Sequence, residues 1–246
     1  TAGTAQTITI TARDVSNNTA TGYTGDKSLT FSGAANAPLG TVPTVTDKTA
    51  SPVNQGQATT ITFSSGVNSA GGTLVAYKAE GPVTLLATDG TFTTATTGGT
   101  GVTLTVSEAA FNAYRIAGSA TQTAGLANAL TIRRVDQFGN TETSFGGDVS
   151  LTFSGLLSSA AGNAPTVTDK NNSPVALGSA TPITFTAGVS SAGGSLVAYK
   201  AEVATLAVGD GTKSSTDTGG TGLALTVVPA ADSAYRITAA SGTPTA

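Results

Sequence analysis

The chain carries most of its sequence twice, and this repetition limits the possible fold more than any other feature. The run Leu-Thr-Phe-Ser-Gly at residues 29–33 returns at residues 151–155, a displacement of 122 residues (151 minus 29). After the loss of one residue, the run Ala-Tyr-Arg-Ile at residues 113–116 returns at 234–237, displaced by 121 residues (234 minus 113). The chain is therefore two copies of one module, an organisation that serves reach, avidity or assembly more often than catalysis.

Alternation of apolar and polar residues predicts a fold built of strands. In the run Thr-Ile-Thr-Ile-Thr at residues 7–11, Ile8 and Ile10 share one face and the threonines share the other. Glycine, proline and asparagine separate such runs, and 31 glycines and 9 prolines interrupt any long helix. The predicted fold class is all-β, with two tandem immunoglobulin-like β-sandwich domains. Further strands are expected at residues 28–31, 59–63, 73–79, 83–87 and 101–106, each with a counterpart in the second copy.

The repeat also predicts where each domain begins and ends. Residues 1–112 form the first sandwich, which lacks its first strand in one interpretation, residues 113–229 form the second, and residues 230–246 are a trailing strand or linker. The alternation predicts an aliphatic core in each copy. In the first copy the expected core is Ile8, Ile10, Leu29, Phe31, Ile61, Phe63, Val75, Tyr77, Leu85, Val102, Leu104 and Val106. In the second copy it is Leu130, Ile132, Leu151, Phe153, Ile183, Phe185, Val197, Tyr199, Leu206, Leu223, Leu225 and Val227.

Composition argues against several classes of function. Only 10% of the residues are charged and the formal net charge is −3, so no basic surface is expected for nucleic acid or an anionic membrane. Cysteine, histidine, methionine and tryptophan are absent, which removes the thiolate and imidazole ligands of soft metals and the commonest general base. We therefore expect no catalytic residues, no cofactor-binding residues and no enzyme activity.

A turn phrase in the second copy resembles a known family. Asp-Gln-Phe-Gly-Asn at residues 136–140, followed by Gly-Asp at 147–148 and Leu-Thr-Phe-Ser at 151–154, is similar to the strand-turn-strand phrase of bacterial Ig-like tandem repeats from large cell-surface proteins and adhesins. The first copy has a degraded version, Asp-Val-Ser-Asn-Asn at residues 14–18. The resemblance covers both copies and implies a rod of β-sandwiches projecting from a cell. It indicates a fold family and no chemistry.

The chain is out of phase with its own modules. Ala113 to Ile116 precedes the second copy, and an equivalent segment trails the last predicted strand at Ala234, Tyr235, Arg236 and Ile237. If this segment opens the following sandwich, the first copy lacks an edge strand, and the tail of a neighbouring molecule completes it by strand addition. Such a heterologous contact continues into a filament. Two other interpretations stay open: the segment closes its own domain, or the chain is an excerpt of a longer repeat array.

Acidic residues beside turns are candidate calcium ligands, since oxygen ligands at domain ends hold this ion. The alternative is that an aspartate in a turn hydrogen-bonds its own backbone. No EF-hand spacing is present, and no cofactor other than calcium is expected. The candidates are Asp14, Asp136, Asp26 and Asp148.

The sequence also contains candidate residues for two covalent modifications. Some surface Ig-like domains of the resembled kind carry a Lys–Asn isopeptide crosslink promoted by a carboxylate. The candidate residues shared by the two copies are Lys78, Lys200, Asn18 and Asn140. A lysine whose stem packs while its ammonium reaches water explains Lys78 and Lys200 equally well. The N-glycosylation pattern occurs at Asn17 and Asn171, and secretion is the condition for its use.

The sequence thus predicts an extracellular structural module of a cell-surface stalk or filament, assembling head-to-tail, with strand donation as one route. Its expected partners are further copies of itself or adjacent repeats of the same protein. One alternative is an adhesin module that binds a glycan or a host protein, although the chain has no Trp and only 5 Tyr for such a surface. Another alternative is an accessory domain of a secreted polysaccharide-active enzyme.

Overall fold

The all-β fold class is confirmed. A computed structural model describes residues 1–95 and 98–235 of the chain. Within these ranges the regular elements are all strands, arranged in four sheets. No helix in these ranges is long and apolar enough to cross a membrane.

The first copy forms two sheets that face each other. One has the strand order β1-β7-β3-β4 and the other β6-β5-β2-β8-β9. The strands are β1 (Ala5–Thr7), β2 (Gly25–Ser32), β3 (Thr44–Thr46), β4 (Pro52–Asn54), β5 (Ala58–Ser64), β6 (Val67–Ala70), β7 (Thr73–Val75), β8 (Glu80–Thr88) and β9 (Val102–Val106).

The second copy repeats this arrangement, with β10 and β13 added at one end of its larger sheet and β11 added at the other. Its sheets have the orders β12-β19-β15-β16 and β10-β13-β18-β17-β14-β20-β21-β11. The strands are β10 (Ala113–Ala117), β11 (Thr121–Thr123), β12 (Ala127–Ala129), β13 (Thr131–Val135), β14 (Gly147–Ser154), β15 (Thr166–Thr168), β16 (Pro174–Ala176), β17 (Ala180–Thr186), β18 (Val189–Ala192), β19 (Ser195–Val197), β20 (Glu202–Gly209) and β21 (Leu223–Val228).

Each copy has its own hydrophobic core, to which both of its sheets contribute. In the first copy Val45 and Leu74 from one sheet pack with Phe31 and Ile61 from the other. In the second copy the corresponding cluster contains Val167, Leu196, Phe153 and Ile183. Burial of each such side chain contributes about 1.5–3 kcal/mol. The aliphatic faces predicted from the alternation therefore hold the two sheets of each copy together.

The segment predicted as a single strand at residues 7–11 passes from one sheet to the other. β1 ends at Thr7 and pairs with β7, whereas Thr11 forms an antiparallel bridge with Val67 of the opposite sheet. Ile8 is buried at the crossing, while Ile10 is only half-buried. In the second copy β12 and β13 make the same change of sheet. One chain segment thereby ties the two sheets together at their edge.

The residue lost between the copies marks a β-bulge. In the first copy the pairing of β8 with β9 shifts register between Glu80 and Val83. The second copy pairs β20 with β21 without a shift from Glu202 to Leu206. Since a bulge places one extra residue in one strand, the change of displacement from 122 to 121 residues has a local cause.

The predicted face of the strand at residues 73–79 is wrong. Leu74 and Ala76 are buried, whereas Val75 and Tyr77 are only half-buried, and β7 ends at Val75. In the second copy Val197 is half-buried and Tyr199 is exposed. The run Leu-Val-Ala-Tyr is apolar on both faces, so alternation alone did not determine which face turns inward. Val102 was also wrongly placed in the core, since 38% of its surface is exposed.

The glycine that closes the repeated run Leu-Thr-Phe-Ser-Gly has a steric role. Gly155 follows β14 with φ +105°, and a Cβ there would lie 2.0 Å from the Thr205 carbonyl oxygen. Gly33 has the same relation to Thr84 in the first copy. No other residue type permits this approach between strands.

We expect Gly155→Ala to lower the free energy of unfolding by about 3 kcal/mol, because the new Cβ must displace β20. Gly211→Ala is the matched control, since Gly211 also has positive φ but nothing lies within 4 Å of its Cβ position. It should cost about 1 kcal/mol. Urea unfolding measures both changes, and equal losses would contradict the steric account.

Candidate assembly interface

β10 fills a gap between two segments of the second copy, which we call the strand slot. On one side β10 pairs antiparallel with β13, from Ala113 opposite Val135 to Ala117 opposite Thr131. On the other side the N–H groups of Tyr114 and Ile116 donate to carbonyl oxygens in residues 214–221. The segment that precedes the second copy in sequence is thus paired on both edges, and this pairing is with the second copy.

Tyr114 is the main anchor of β10. It is fully buried, and its ring lies 5.1 Å from that of Phe111 and 6.3 Å from that of Phe185, between centroids. Its hydroxyl donates to Asp210 Oδ2 at 2.9 Å and accepts from Arg134 Nη1 at 3.2 Å. Burial and the hydrogen bond to Asp210 raise the pKa of Tyr114, so the phenol is neutral. A buried hydroxyl with both partners present stabilises the strand in one register.

Arg134 forms the outer wall of this anchor. Its guanidinium lies 3.7 Å from the ring centroid of Phe111 and 3.8 Å from that of Phe145. Its Nε lies 2.7 Å from Glu142 Oε2 in an ion pair whose side chains are mostly buried. A guanidinium between two aromatic faces and paired with a carboxylate shields the Tyr114 ring from water.

In the first copy, no strand of the described residues fills the corresponding slot. Its edge is formed by residues 9–13, the counterpart of β13, and no strand within residues 1–95 and 98–235 lies where β10 lies in the second copy. Ile10 is half-buried, whereas its counterpart Ile132 is fully buried. Val102 is 38% exposed, whereas its counterpart Leu223 is 8% exposed. The first copy therefore exposes apolar surface that β10 covers in the second.

The Asp89 carboxylate also lies at this open slot. Asp89 is the counterpart of Asp210 and accepts a hydrogen bond from the Tyr23 hydroxyl at 3.3 Å. Backbone N–H groups, with that of Phe92 first, lower the pKa of Asp89, so the carboxylate is ionised at neutral pH. A second hydroxyl donor in this slot would find an acceptor already positioned.

The trailing segment that repeats the β10 sequence is only partly described. Ala234 and Tyr235 are exposed and belong to no strand, and the Tyr235 side chain is 102% exposed relative to a reference residue. Arg236 and Ile237 lie outside the described residues. The tyrosine of one Ala-Tyr-Arg-Ile segment is thus fully buried and that of the other fully exposed.

A second contact joins the two copies within the chain. The Asn140 side chain accepts a hydrogen bond from the Ala79 N–H and donates one to the Tyr77 carbonyl oxygen, both at 2.8 Å. The Phe138 ring packs 5.1 Å from the Tyr77 ring, between centroids. Asp136 and Asn140 are both buried here. The amide of Asn140 pairs with the first copy as a backbone peptide group would, and we call this contact the joint.

The turn that supplies Asn140 is built by Asp136. Asp136 Oδ1 accepts from the N–H groups of Phe138 and Asn140, and Oδ2 accepts from Asn140 Nδ2 at 2.8 Å. Asp136 Oδ2 also accepts from the Ala109 N–H in the segment between the copies. The turn fixes the orientation of the Asn140 amide before it meets the first copy.

Sequence reasoning identified Asn140 as a shared asparagine but assigned it to a crosslink. The structure engages its amide with backbone groups, and it places Lys78 Nζ 3.2 Å from Glu80 Oε2 and Lys200 Nζ 3.3 Å from Glu202 Oε2. Asn18 lies in an exposed turn. The crosslink stays a prediction. The signal that was missed is the spacing Asp-x-x-x-Asn, which both copies share.

The four calcium candidates are engaged in turns or ion pairs. Asp14 holds its own turn, and a hydrogen bond from the Asn18 side chain is the largest cause of its lowered pKa. Asp26 and Asp148 each accept from a lysine, Lys48 and Lys170 respectively, and these bonds lower the pKa of both carboxyls. Asp136 is buried in the joint. In the described part of the chain no three acidic side chains gather as a metal site.

The two N-glycosylation candidates are accessible. Asn17 and Asn171 are both exposed, in turns on the first and second copies. Asn17 has φ +68°, which asparagine tolerates better than most residues. Glycosylation at either position stays a prediction.

Comparisons with known proteins do not assign the chain to a family. No protein-family model matches it, and no curated protein matches it. Among solved structures, a beta-glycosidase from Bacteroides vulgatus is similar over 82% of this chain and 24% of that chain, with 14% identity and a TM-score of 0.32. The chain thus spans about a quarter of that protein, and a likeness this weak carries no argument about fold or function.

Tyr114 and Tyr235 form a matched pair for testing the anchor. We expect Tyr114→Ala to lower the free energy of unfolding of the second copy by about 3–5 kcal/mol, because it removes a buried ring and leaves Asp210 without its hydroxyl donor. Tyr235→Ala should change it by less than about 0.5 kcal/mol in dilute solution. Urea unfolding at low protein concentration measures both. A similar effect of the two substitutions would show that β10 does not stabilise the second copy.

Asn140 and Asn18 form a second matched pair. Asn140→Ala leaves the Tyr77 carbonyl and the Ala79 N–H without their partner, so we expect a loss of about 1–3 kcal/mol in the free energy of unfolding. Asn18→Ala removes an exposed side chain and should cost less than about 0.5 kcal/mol in dilute solution. The measurement is thermal unfolding of both variants. An unchanged Asn140→Ala variant would rule out the joint as a stabilising contact.

Proposed function

We propose that this chain is a structural repeat unit of an extracellular cell-surface stalk or filament, made of two immunoglobulin-like β-sandwich domains that assemble head to tail by strand donation. The observation that carries the proposal is the position of β10. The segment ahead of the second copy is paired inside that copy's sheet, and the same sequence trails the chain at residues 234–237. The trailing segment is therefore suited to a first copy and not to the copy that it follows.

The backbone of the first copy provides the pairing edge. Thr11 is the counterpart of Arg133, which lies opposite Arg115 in the pairing of β10 with β13. An added strand at this edge satisfies N–H and C=O groups that otherwise face solvent, and this main-chain pairing supplies most of the affinity in strand addition.

The side chains of the trailing segment fit the same slot. The counterparts of Ala234, Tyr235 and Ile237 are Ala113, Tyr114 and Ile116, each of which is buried in the second copy. In the first copy Phe63 takes the place of Phe185, and Asp89 takes the place of Asp210. A Tyr235 hydroxyl inserted into this slot would meet the Asp89 carboxylate as the Tyr114 hydroxyl meets that of Asp210.

The donated strand should bind less tightly than β10 does. Arg134 corresponds to Ala12 in the first copy, and Phe111 corresponds to Asp232 in the trailing segment. The cation and one of the aromatic faces that enclose Tyr114 are therefore missing from the donated version. We expect assembly between molecules to be reversible and to depend on concentration.

A depression beside the slot suggests that donation extends past Ile237. In the second copy Gln122 of β11 is buried, and its Nε2 donates to the carbonyl oxygens of Leu126 and Leu196. The counterparts of Leu126 and Leu196 in the first copy are Thr4 and Leu74, which line a depression of about 230 Å³. Chain that continues from the trailing segment along the route of β11 would cover it.

Composition supports a location outside the cell. Methionine and cysteine are the most easily oxidised side chains, and the chain has neither. The surface is weakly charged and both N-glycosylation candidates are exposed. A heterologous contact of this kind does not close on itself, so repeated donation produces a filament. Within a longer chain, the same pairing would join successive repeats.

The test compares the full chain with a version truncated after Val228. Because only the full chain carries the donor segment, we expect its mean mass to rise with concentration while the truncated chain stays monomeric. Sedimentation velocity measures the mass, and negative-stain images show whether the larger species are linear. Monomers in both samples at every concentration would overturn the proposal.

Point variants separate strand donation from other effects of the tail. Tyr235→Ala and Ile237→Asp should abolish assembly, since the residues at both positions match buried side chains of β10. Thr238→Ala should assemble like the parent chain, because its counterpart Ala117 is exposed at the end of β10. Assembly that survives both disruptive variants would exclude this segment as the donor.

A further inference from the structure

The joint between the two copies has a second version in this chain that is not engaged. We infer that the turn at residues 14–18 docks through Asn18 onto the backbone of Tyr199 and Ala201 in another molecule of this chain. This interaction would be the second contact of the head-to-tail assembly, and it rests on the proposed function.

The turn of the first copy has the shape of the turn that forms the joint. Asp14 Oδ1 accepts from the N–H groups of Ser16 and Asn18, and Oδ2 accepts from Asn18 Nδ2 at 3.1 Å. The Asp14 N–H donates to the Asn18 carbonyl oxygen, as the Asp136 N–H does to that of Asn140. The residue before the asparagine has positive φ in both turns, at Asn17 and at Gly139. The Asn18 amide is thus held as the Asn140 amide is held.

The two turns differ in burial. Asp136 is fully buried and Asn140 is 3% exposed, whereas Asp14 and Asn18 are exposed. Val15, inside the first turn, is 96% exposed. The joint shows what such a turn binds, and the first turn has the same groups exposed.

The receiving loop is also present twice. Lys200 pairs with Glu202 as Lys78 pairs with Glu80, at 3.3 and 3.2 Å. The second carboxylate oxygen of each glutamate accepts a backbone N–H, from Leu157 in one copy and from Ala35 in the other. Because these contacts hold the loop in the same conformation, the Tyr199 carbonyl and the Ala201 N–H are arranged like the groups that Asn140 binds.

This loop is exposed where its counterpart is covered. Tyr199 is 37% exposed and Ala201 is exposed, whereas their counterparts Tyr77 and Ala79 are half-buried in the joint. No hydrogen bond from residues 1–95 or 98–235 reaches the Tyr199 carbonyl or the Ala201 N–H. The loop offers one donor and one acceptor, which match the two polar groups of an asparagine amide.

The occupant is another molecule of this chain, because strand donation and turn docking would join the same two modules. In the second copy the strand slot runs along β13, and the turn at residues 136–140 follows β13 directly. In the first copy the open edge at residues 9–13 leads directly into the turn at residues 14–18. A molecule that donates its trailing strand to this edge therefore brings its own Tyr199 loop towards this turn, as the first copy does towards Asn140.

The joint between molecules would lack one contact of the joint within the chain. Phe138 stacks against Tyr77, and its counterpart in the first turn is Ser16. Val15 is the apolar side chain that this turn offers in place of a ring. The asparagine pair is therefore expected to carry more of the contact between molecules than it does within the chain.

The first experiment measures assembly of the Asn18→Ala variant by sedimentation velocity. We expect its association constant to fall about tenfold to a hundredfold, because two backbone groups of the partner lose their hydrogen bonds. Asn171→Ala, which changes an exposed turn asparagine of the second copy, is the matched control and should assemble normally. Thermal unfolding in dilute solution shows that both variants are folded.

The outcomes separate this inference from the proposed function. If the parent chain does not assemble, the proposed function fails. If the parent assembles, Tyr235→Ala abolishes assembly and Asn18→Ala has no effect, strand donation stands and docking of the turn is excluded. A loss in both variants supports both contacts.

The second experiment uses the absence of cysteine from the chain. Ser16→Cys combined with Tyr199→Cys should give a ladder of covalent multimers with a short bis-maleimide reagent. The pair Phe138→Cys and Tyr77→Cys is the positive control, since the native rings lie 5.1 Å apart, and it should link within one molecule. Filaments that form without any intermolecular crosslink from the first pair would overturn the docking.

Discussion

The pairing of β10 on both of its edges is the constraint on which the rest of the structure depends. A strand at the edge of a sheet exposes a row of N–H and C=O groups and one side of its apolar residues. In the second copy β10 covers both, and Ile132 and Leu223 become buried. In the first copy Ile10 and Val102 stay partly exposed. The difference between two copies of one sequence is thus a difference in whether an edge is covered.

A few polar groups determine the register of β10 and the position of one copy against the next. Asp210 receives the Tyr114 hydroxyl, and the Asn140 amide binds one donor and one acceptor of the first copy's backbone. The Asn140 amide is buried, Asp210 is half-buried, and each has its hydrogen-bond partners, so a shift in register would leave polar atoms unpaired. Aliphatic burial stabilises each copy, while these contacts determine how one copy follows the next. Both polar residues have counterparts in the first copy, Asp89 for Asp210 and Asn18 for Asn140.

The sequence patterns predicted some parts of the structure and missed others. The repeat and the alternation predicted the all-β class and placed Phe31, Ile61 and their counterparts correctly in the two cores. Alternation failed at residues 73–79, where both faces are apolar. It also missed that residues 7–11 change sheets, because a crossing strand and a continuous one have the same pattern. The role of Asn140 depends on two backbone groups some sixty residues earlier, and no local pattern reports such a contact.

Residue-resolved amide hydrogen exchange at the open edge tests the central claim most directly. The amide of Thr11 should become protected in the full chain as the protein concentration rises, because a donated strand would cover it. In the chain truncated after Val228 it should exchange at one rate at all concentrations. Equal exchange at Thr11 in the two chains, under conditions where the full chain assembles, would show that the first copy is not completed by strand donation.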